Sequence, residues 1–142
     1  MKVLFICNAN VGRSQVAHAY FDTLSKHDSD SAGIAVDEIA AMNFASKKHK
    51  DNPTQRSVQY IRREFGVDIG EKEKQQLVPE MLVTADLAIV IAEKESWPGY
   101  LKEGGKVLFW DIQDPVTMAD DFAENVYRQV QRRVERLVAE IG

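Results

Sequence analysis

The sequence predicts an α/β fold in which helices cover both faces of a parallel sheet. Three continuous apolar runs, at residues 2–7, 87–92 and 106–110, are typical of strands that are buried on both faces. Segments in which apolar residues recur at helical spacing lie between and after these runs. Strands that alternate with helices pair in parallel through right-handed crossovers, which places helices on both faces of the sheet.

The first half of the chain predicts two strands and a long helix. Residues 3–6 form the first strand, and a helix from about residue 13 to 26 follows the short loop that Cys7 opens. A short second strand is expected near residues 30–32. The stretch 37–52 has a less regular pattern. Its apolar residues allow a short helical turn; they are Ile39, Met42 and Phe44.

Turn and capping residues predict where the later helices begin and end. Asn52 followed by Pro53 predicts a helix start, because asparagine caps a helix N-terminus and proline fits the first helical position. Gly66 predicts the end of that helix, since glycine readily adopts the left-handed conformation found there. Pro79 begins a further short helical segment over residues 79–82.

The last helix is predicted from a start signal and a long apolar stripe. Thr117, with Asp120 three residues later, resembles a capping box with aspartate in place of glutamate. The apolar residues that follow recur at helical spacing and predict a core-facing side. These residues are Phe122, Val126, Val130, Val134, Leu137 and Ile141.

Length and composition exclude several classes of protein. The chain has 142 residues and a formal net charge of −4, which predicts one domain over residues 1–142 and argues against binding nucleic acid through a basic surface. No apolar run approaches the roughly 20 residues of a membrane span. The first apolar run is too short for a signal peptide. A single cysteine cannot form an intramolecular disulfide, so we expect a cytoplasmic protein.

Three predicted loops leave the carboxyl ends of the strands, which is where parallel sheets form their ligand sites. These loops are residues 7–13, 93–105 and 111–117. We expect the chemistry of the protein to come from them.

The loop 7–13 carries the only cysteine of the chain and an arginine six residues later. A cysteine at a helix N-terminus beside an arginine favours the thiolate form, which is the nucleophile. The loop N–H groups can form an anion site, and Arg13 can donate two parallel hydrogen bonds to an oxyanion. The alternative is that Cys7 is an inert buried residue and Arg13 an ordinary surface residue. The strand–loop–helix context favours the catalytic interpretation.

The other residues of this loop are suited to supporting an anion. Gly12 relieves crowding where the backbone approaches the anion. Ser14 can donate its hydroxyl to the Cys7 sulfur, and the Asn10 side chain can fix the loop backbone. The candidate substrate-binding residues are therefore Asn8, Ala9, Asn10, Val11, Gly12 and Ser14.

A carboxyl group for proton transfer is expected in the loop 111–117. Attack by Cys7 on a phosphoester expels an alkoxide or phenoxide that needs a proton, and the later attack by water on the phosphocysteine needs a base. Asp114, stiffened by Pro115, can serve both steps in turn. Asp-Pro is also a common turn dipeptide. Asp111 is a rival, for which we expect an orienting or capping role.

No metal or cofactor is predicted. The three histidines, His18, His27 and His49, are irregularly spaced, and no second cysteine assists them. Neither a glycine-rich nucleotide-binding motif nor a Walker sequence is present.

With Cys7, Arg13, Ser14 and Asp114-Pro115 in place, the chain resembles the low-molecular-weight protein tyrosine phosphatases and the related arsenate reductases. The resemblance implies a three-layer sandwich with a central four-stranded parallel sheet. It also implies a phosphocysteine on Cys7, proton transfer by Asp114, and a transferred group held by Arg13 and the loop amides. The similarity covers almost the whole chain, through CNANVGRSQ at 7–15, SAG at 31–33, FGVDI at 65–69 and ADLAIVI at 85–91.

The chain also departs from the family pattern. Ala9 and Gly12 stand where the family often has glycine and a second cysteine, so the protective disulfide of some members is lost. His18 replaces the usual glutamate, so the potassium site of some reductases does not carry over. Val116 and Thr117 follow Asp-Pro, where tyrosine phosphatases commonly have aromatic residues. Other candidates for an aromatic wall are Phe44, Trp97 and Tyr100, although core packing or loop burial is favoured for each.

These residues leave several functions open. The first is a cysteine-dependent phosphatase that hydrolyses phosphomonoesters, phosphotyrosine among them. The second is a single-cysteine arsenate reductase, favoured by the RSQ sequence and Trp110, in which an external thiol resolves the adduct on Cys7. A phosphocarrier is disfavoured because Asp114 would help water to destroy its phosphocysteine, and an anion-binding protein without turnover is the remaining alternative.

The expected partners follow from these functions. We expect a monomer that acts on a phosphorylated protein, a phosphorylated small molecule or an inorganic oxyanion. Neither nucleic acid nor a membrane is expected as a partner.

Overall fold

A computed structural model describes residues 1–43 and 46–142 and has a four-stranded parallel sheet at its centre. Its strands are β1 (Lys2–Cys7), β2 (Asp28–Gly33), β3 (Leu87–Val90) and β4 (Val107–Phe109). The spatial order is β2-β1-β3-β4, and each neighbouring pair is parallel. The predicted α/β fold is therefore confirmed.

The described residues form five α-helices, and two short 3₁₀ turns lie at residues 49–51 and 94–96. The helices are α1 (Arg13–Leu24), α2 (Val36–Asn43), α3 (Arg56–Phe65), α4 (Pro79–Thr84) and α5 (Asp120–Ile141). None of these helices has the length and apolar character needed to cross a bilayer.

The sheet separates two apolar clusters because successive strand residues point to opposite faces. Val3 and Phe5 of β1 pack with the larger cluster, to which α1, α3 and α5 contribute. Leu4 and Ile6 pack with a smaller cluster on the other face, together with Leu77 and residues of β3. Both faces are therefore covered, as the continuous apolar runs predict.

Two predicted helix starts are wrong. Helix α3 begins at Arg56, because the Asn52 side chain is occupied elsewhere: its Nδ2 donates to Thr54 O and its Oδ1 accepts from Lys74 Nζ. Helix α5 begins at Asp120 with Ala119 at its N-cap, and no side chain caps it. The predicted end of α3 is confirmed, since Gly66 adopts φ 72°.

The predicted core face of α5 is wrong at one position. Phe122 is 61% exposed, because the buried register of this helix begins at Ala123. The predicted residues further along agree with the structure, since Val126, Val130, Val134 and Leu137 are buried and Ile141 packs against the core. In the stretch 37–52, the short helical turn is observed as α2, and Phe44 lies outside the described residues.

Backbone hydrogen bonds join the loop after β1 to the chain that follows β2. Ile34 N donates to Cys7 O at 3.0 Å, and Ala35 N donates to Asn8 O at 2.9 Å. Gly33 lies where these loops meet, and a Cβ atom there would come within 2.7 Å of Asn10 N. Because all strands run parallel, the loops after β1, β2, β3 and β4 lie at the same edge of the sheet.

Candidate active site

Cys7 lies at the end of β1, buried but in contact with a cavity at the edge of the sheet. Two polar groups surround its sulfur: Asn10 N donates to Sγ at 3.2 Å, and Ser14 Oγ lies 2.9 Å from Sγ. Ser14 Oγ also accepts from Asn10 Nδ2 at 2.8 Å. The Ser14 hydroxyl proton can therefore point at the sulfur, an arrangement that stabilises negative charge there.

Asn10 fixes the shape of the loop. It adopts a left-handed conformation with φ 56°, which asparagine tolerates better than most residues. Its Oδ1 accepts from Gln75 N at 2.9 Å, and its backbone O lies 3.3 Å from the donor Gln15 Nε2. These contacts account for the complete burial of Asn10, which lies beneath the cavity and does not line it.

The N–H groups of Ala9, Val11 and Gly12 form no hydrogen bond within the described part of the chain. All three residues line the cavity, as Cys7 does. Unpaired N–H groups in a loop before a helix are the usual receptor for an anion. Asn8 and Ser14, which were predicted with them, do not line the cavity: Asn8 supports the loop through its carbonyl group, and Ser14 contacts the sulfur.

Arg13 is the first residue of α1 and is only 3% exposed. Its Nη1 donates to Ile91 O at 2.7 Å, to Ile112 O at 2.9 Å and to Glu93 Oε1 at 3.0 Å. The Nη2 atom lies 3.5 Å from Asp114 Oδ2. The possibility of an ordinary surface arginine is therefore excluded. One edge of the guanidinium holds the loops after β3 and β4, while the residue also faces the cavity.

Asp114 lies in the loop after β4 and is part of the cavity lining. Its Oδ1 accepts from Val116 N at 3.0 Å, and its Oδ2 faces Arg13. The carboxyl side chain is 40% exposed, so it can exchange protons with solvent. Asp111, the predicted rival, is exposed and does not line the cavity.

The cavity has a volume of about 520 Å³. Its floor is the loop 7–13, and its walls come from α2, the segment 46–57, Lys74 and the loop 114–116. Apolar side chains form much of the walls, including Val11, Val36, Ile39 and Val116.

Trp97 and Tyr100, two candidates for an aromatic wall, do not line the cavity, which agrees with the packing or burial favoured for each. Trp97 packs against the smaller apolar cluster and donates from Nε1 to Ala92 O at 3.0 Å, and the Tyr100 hydroxyl lies 3.3 Å from Leu77 O. Phe44 lies outside the described residues. Tyr127 of α5 is the aromatic residue among the described lining residues.

Tyr127 was not singled out from the sequence. Burial and the negative charges of Asp114 and Cys7 raise the pKa of Tyr127 to about 12, against the opposing effect of Arg56 and Arg13. The hydroxyl therefore stays protonated at neutral pH and can act as a hydrogen-bond donor in the cavity.

Three other residues were missed because they act through distant partners. Glu93 pairs with Arg13, and Gln75 binds Asn10 through its backbone N–H. Arg56 donates from Nη2 to Pro115 O at 2.8 Å and from Nη1 to Met118 O, which fixes the loop that carries Asp114. Proximity in sequence gave no signal for these contacts, which span 59 or more residues.

Within residues 1–43 and 46–142, no group of three or more His, Cys, Asp or Glu side chains is placed to hold a metal ion. His18, which the resemblance places at a glutamate position, is buried away from the cavity. Its Nδ1 lies 2.7 Å from Ser29 Oγ.

Comparison with known proteins gives a match to one family model. The model of the low molecular weight phosphotyrosine protein phosphatase family matches residues 2–142. Among solved structures, the low molecular weight protein tyrosine phosphatase from T. tengcongensis is similar at 23% identity and a TM-score of 0.79, with 99% of each chain covered.

Two further structures are similar at lower TM-scores. Vibrio vulnificus Wzb in complex with benzylphosphonate has 21% identity and a TM-score of 0.77, covering 98% of this chain and 97% of its own. The arsenate reductase from Archaeoglobus fulgidus has 24% identity and a TM-score of 0.70, covering 96% and 98% respectively. These structures share the fold of this chain.

Proposed function

Because this chain belongs to the low molecular weight phosphotyrosine protein phosphatase family, we propose that it hydrolyses phosphomonoesters through a phosphocysteine on Cys7. The main support is that Cys7, Arg13 and Asp114 line one cavity. A nucleophile, an oxyanion partner and a proton donor are thereby brought to the same small volume.

In the first step, the Cys7 sulfur attacks phosphorus, the S–P bond forms and the P–O bond to the leaving group breaks. Asp114, as the neutral acid, gives its proton to the leaving oxygen. Its Oδ1 is held by Val116 N, which leaves Oδ2 to carry the proton. The free N–H groups of the loop and the Arg13 guanidinium hold the three oxygens of the transferring group.

In the second step, water attacks the phosphocysteine and Asp114 accepts its proton. The S–P bond breaks, phosphate leaves and the thiolate of Cys7 returns. The Asn10 N–H and the Ser14 hydroxyl stabilise the departing sulfur. The two-step route thereby regenerates both Cys7 and Asp114 in their starting protonation states.

The substrate is a phosphorylated side chain or small molecule, with phosphotyrosine as one member of this class. The cavity has room and apolar wall area for such a group, and Tyr127 is an aromatic residue of its lining. A nucleophilic thiol must stay reduced, which fits the cytoplasmic location predicted from the single cysteine. The proposal includes a monomer, because Cys7, Arg13 and Asp114 of one chain line the same cavity.

The test is hydrolysis of an aryl phosphate by the wild type, Cys7→Ser and Asp114→Asn. Cys7→Ser should be inactive, and Asp114→Asn should lose about 10²- to 10⁴-fold in kcat unless the leaving group is very acidic. Asp111→Asn is the matched control, since it changes a nearby exposed aspartate outside the cavity. Equal activity of all four proteins would rule out this mechanism.

A single-cysteine arsenate reductase is the second candidate, because the same site fits any tetrahedral oxyanion and RSQ follows the loop. Cys7 would form an S–As(V) adduct with loss of water. An external thiol would attack the Cys7 sulfur, releasing arsenite and leaving a mixed disulfide that a second thiol reduces. Thiol-dependent arsenate reduction without phosphatase turnover would favour this candidate over the first.

A further inference from the structure

The cavity extends beyond the catalytic loop to a wall that contains Lys74 and Ser57. The position of Lys74 is fixed by backbone hydrogen bonds on both sides. Lys74 N donates to Lys47 O at 2.9 Å, and the next residue, Gln75, donates its N–H to Asn10 Oδ1 at 2.9 Å. Lys74 is thus one residue from the point where this segment contacts the catalytic loop.

Lys74 is a partly buried cation without a carboxylate partner within 4.0 Å in the described part of the chain. Its Nζ donates to the neutral Asn52 Oδ1 at 3.0 Å. Burial lowers the pKa of Lys74, and the negative charge of Asp51 only partly opposes this effect. The ammonium group would therefore gain from an anion placed in the cavity.

The other basic residues that line the cavity already have carboxylate partners. Lys47 pairs with Asp37, and Arg56 lies 3.5 Å from Asp120 Oδ1. Among Lys47, Arg56 and Lys74, only Lys74 therefore lacks a carboxylate of the described residues within 4.0 Å, and an anion bound in the cavity can supply this partner.

Ser57 is a second residue of this cavity wall, and its polar side chain lacks a partner among the described residues. It is 2% exposed, lines the same cavity, and its Oγ has no hydrogen-bond partner within the described residues. A buried hydroxyl without a partner costs about 1–3 kcal/mol, so such groups usually have a partner in native structures. A ligand group in the cavity can supply this partner.

We propose that Lys74 and Ser57 form a second anion subsite, so that the preferred phosphomonoester substrates carry a carboxylate besides the phosphoryl group. This inference rests on the proposed phosphatase function. Lys74 provides the charge, and the Ser57 hydroxyl donates a hydrogen bond to the same carboxylate. The catalytic loop then binds the phosphoryl group, and the subsite binds the carboxylate on the leaving group of the substrate.

The test compares two substrates with nearly the same leaving group, 4-(carboxymethyl)phenyl phosphate and the corresponding carboxamide. The readout is the ratio of their kcat/KM values. We expect the wild type to prefer the carboxylate by about tenfold, the effect of one charge-assisted hydrogen bond. Lys74→Gln should lower the ratio to about one, and Ser57→Ala should lower it by roughly threefold.

Two variants serve as controls. Lys72→Gln makes the same change at an exposed lysine outside the cavity and should keep the wild-type ratio. Lys74→Arg keeps the charge and should keep most of the preference, which separates the role of the charge from a folding defect.

The possible failures are distinguishable. A wild-type ratio near one, or a ratio that Lys74→Gln leaves unchanged, would overturn the subsite while the phosphatase function stands. If the wild type turns over neither substrate, the proposed function fails and this inference fails with it.

Discussion

Replacement of Gly33 by alanine tests how strictly the loop 7–13 must be placed. Gly33 ends β2 and lies beside Cys7 in the sheet register. A Cβ at this position would lie 2.7 Å from Asn10 N and 2.9 Å from Ala9 C, both backbone atoms of the loop. Ordinary contacts of a Cβ atom begin at 3.4 Å, so the loop would have to move by roughly 0.7 Å.

A displacement of this size reaches the catalytic sulfur directly. Asn10 N is the donor to Cys7 Sγ at 3.2 Å, and the shift would break or misalign this hydrogen bond. Misplacement of reacting groups by about 1 Å costs roughly 10²-fold in rate, so we expect kcat/KM of Gly33→Ala to fall by about that factor. Overpacking should also lower the free energy of unfolding by about 1–3 kcal/mol.

The assay is aryl phosphate hydrolysis together with urea denaturation, and Gly99→Ala is the control. An added methyl group at Gly99 meets no atom within 4 Å, so both activity and stability should stay at the wild-type level. If Gly33→Ala keeps kcat/KM within twofold of the wild type, the loop tolerates displacement and the reasoning is refuted. Lost stability with full activity would lead to the same conclusion.

Two further predictions concern pH and the Asp114 loop. Burial, together with the positive charges of Lys74 and Lys72, lowers the pKa of His49 from 6.5 to about 4. Between these two pH values the unfolded chain binds more protons than the folded protein, so the free energy of unfolding falls as the pH drops. Between pH 7 and pH 4, the free energy of unfolding of His49→Leu, measured by urea denaturation, should fall by roughly 2–3 kcal/mol less than that of the wild type. An equal fall in both proteins would contradict the prediction. Arg56→Gln should loosen the loop that carries Asp114 and lower kcat about tenfold for phenyl phosphate but much less for p-nitrophenyl phosphate, whose leaving group needs little protonation. Arg62→Gln, at an exposed arginine that pairs with Asp68, is the control, and an equal loss on both substrates would exclude this role of Arg56.

The parts of the protein that depend on local patterns could be predicted from the sequence. Continuous apolar runs predicted the parallel sheet, and the family resemblance drawn from residues 7–15 and Asp114-Pro115 is confirmed by the family match. The spacing from Cys7 to Arg13 and the sheet edge expected for Asp114 predicted residues that do line one cavity. These features depend on a local pattern, or on the rule that the loops after parallel strands meet at one edge of the sheet.

The remaining parts depend on contacts between distant segments. Arg56 holds Pro115 and Gln75 holds Asn10, and no local pattern indicates either pair. Asn52 is of a residue type that often caps helices, yet its side-chain amide binds Thr54 and Lys74. The contact with Lys74 depends on the tertiary structure, which the local sequence does not indicate. Phe122 fits the helical period of α5, but the buried register begins one residue later.

The three hydrogen bonds from Arg13 Nη1 to the loops after β3 and β4 give this residue a structural role besides the binding of an anion. Loss of Arg13 would leave buried carbonyl groups of Ile91 and Ile112 without their donor, which is costly whether or not the protein is an enzyme. A variant without the Cys7 thiol would keep these hydrogen bonds and the free N–H groups of the loop. We therefore expect such a variant to bind an oxyanion without turning it over.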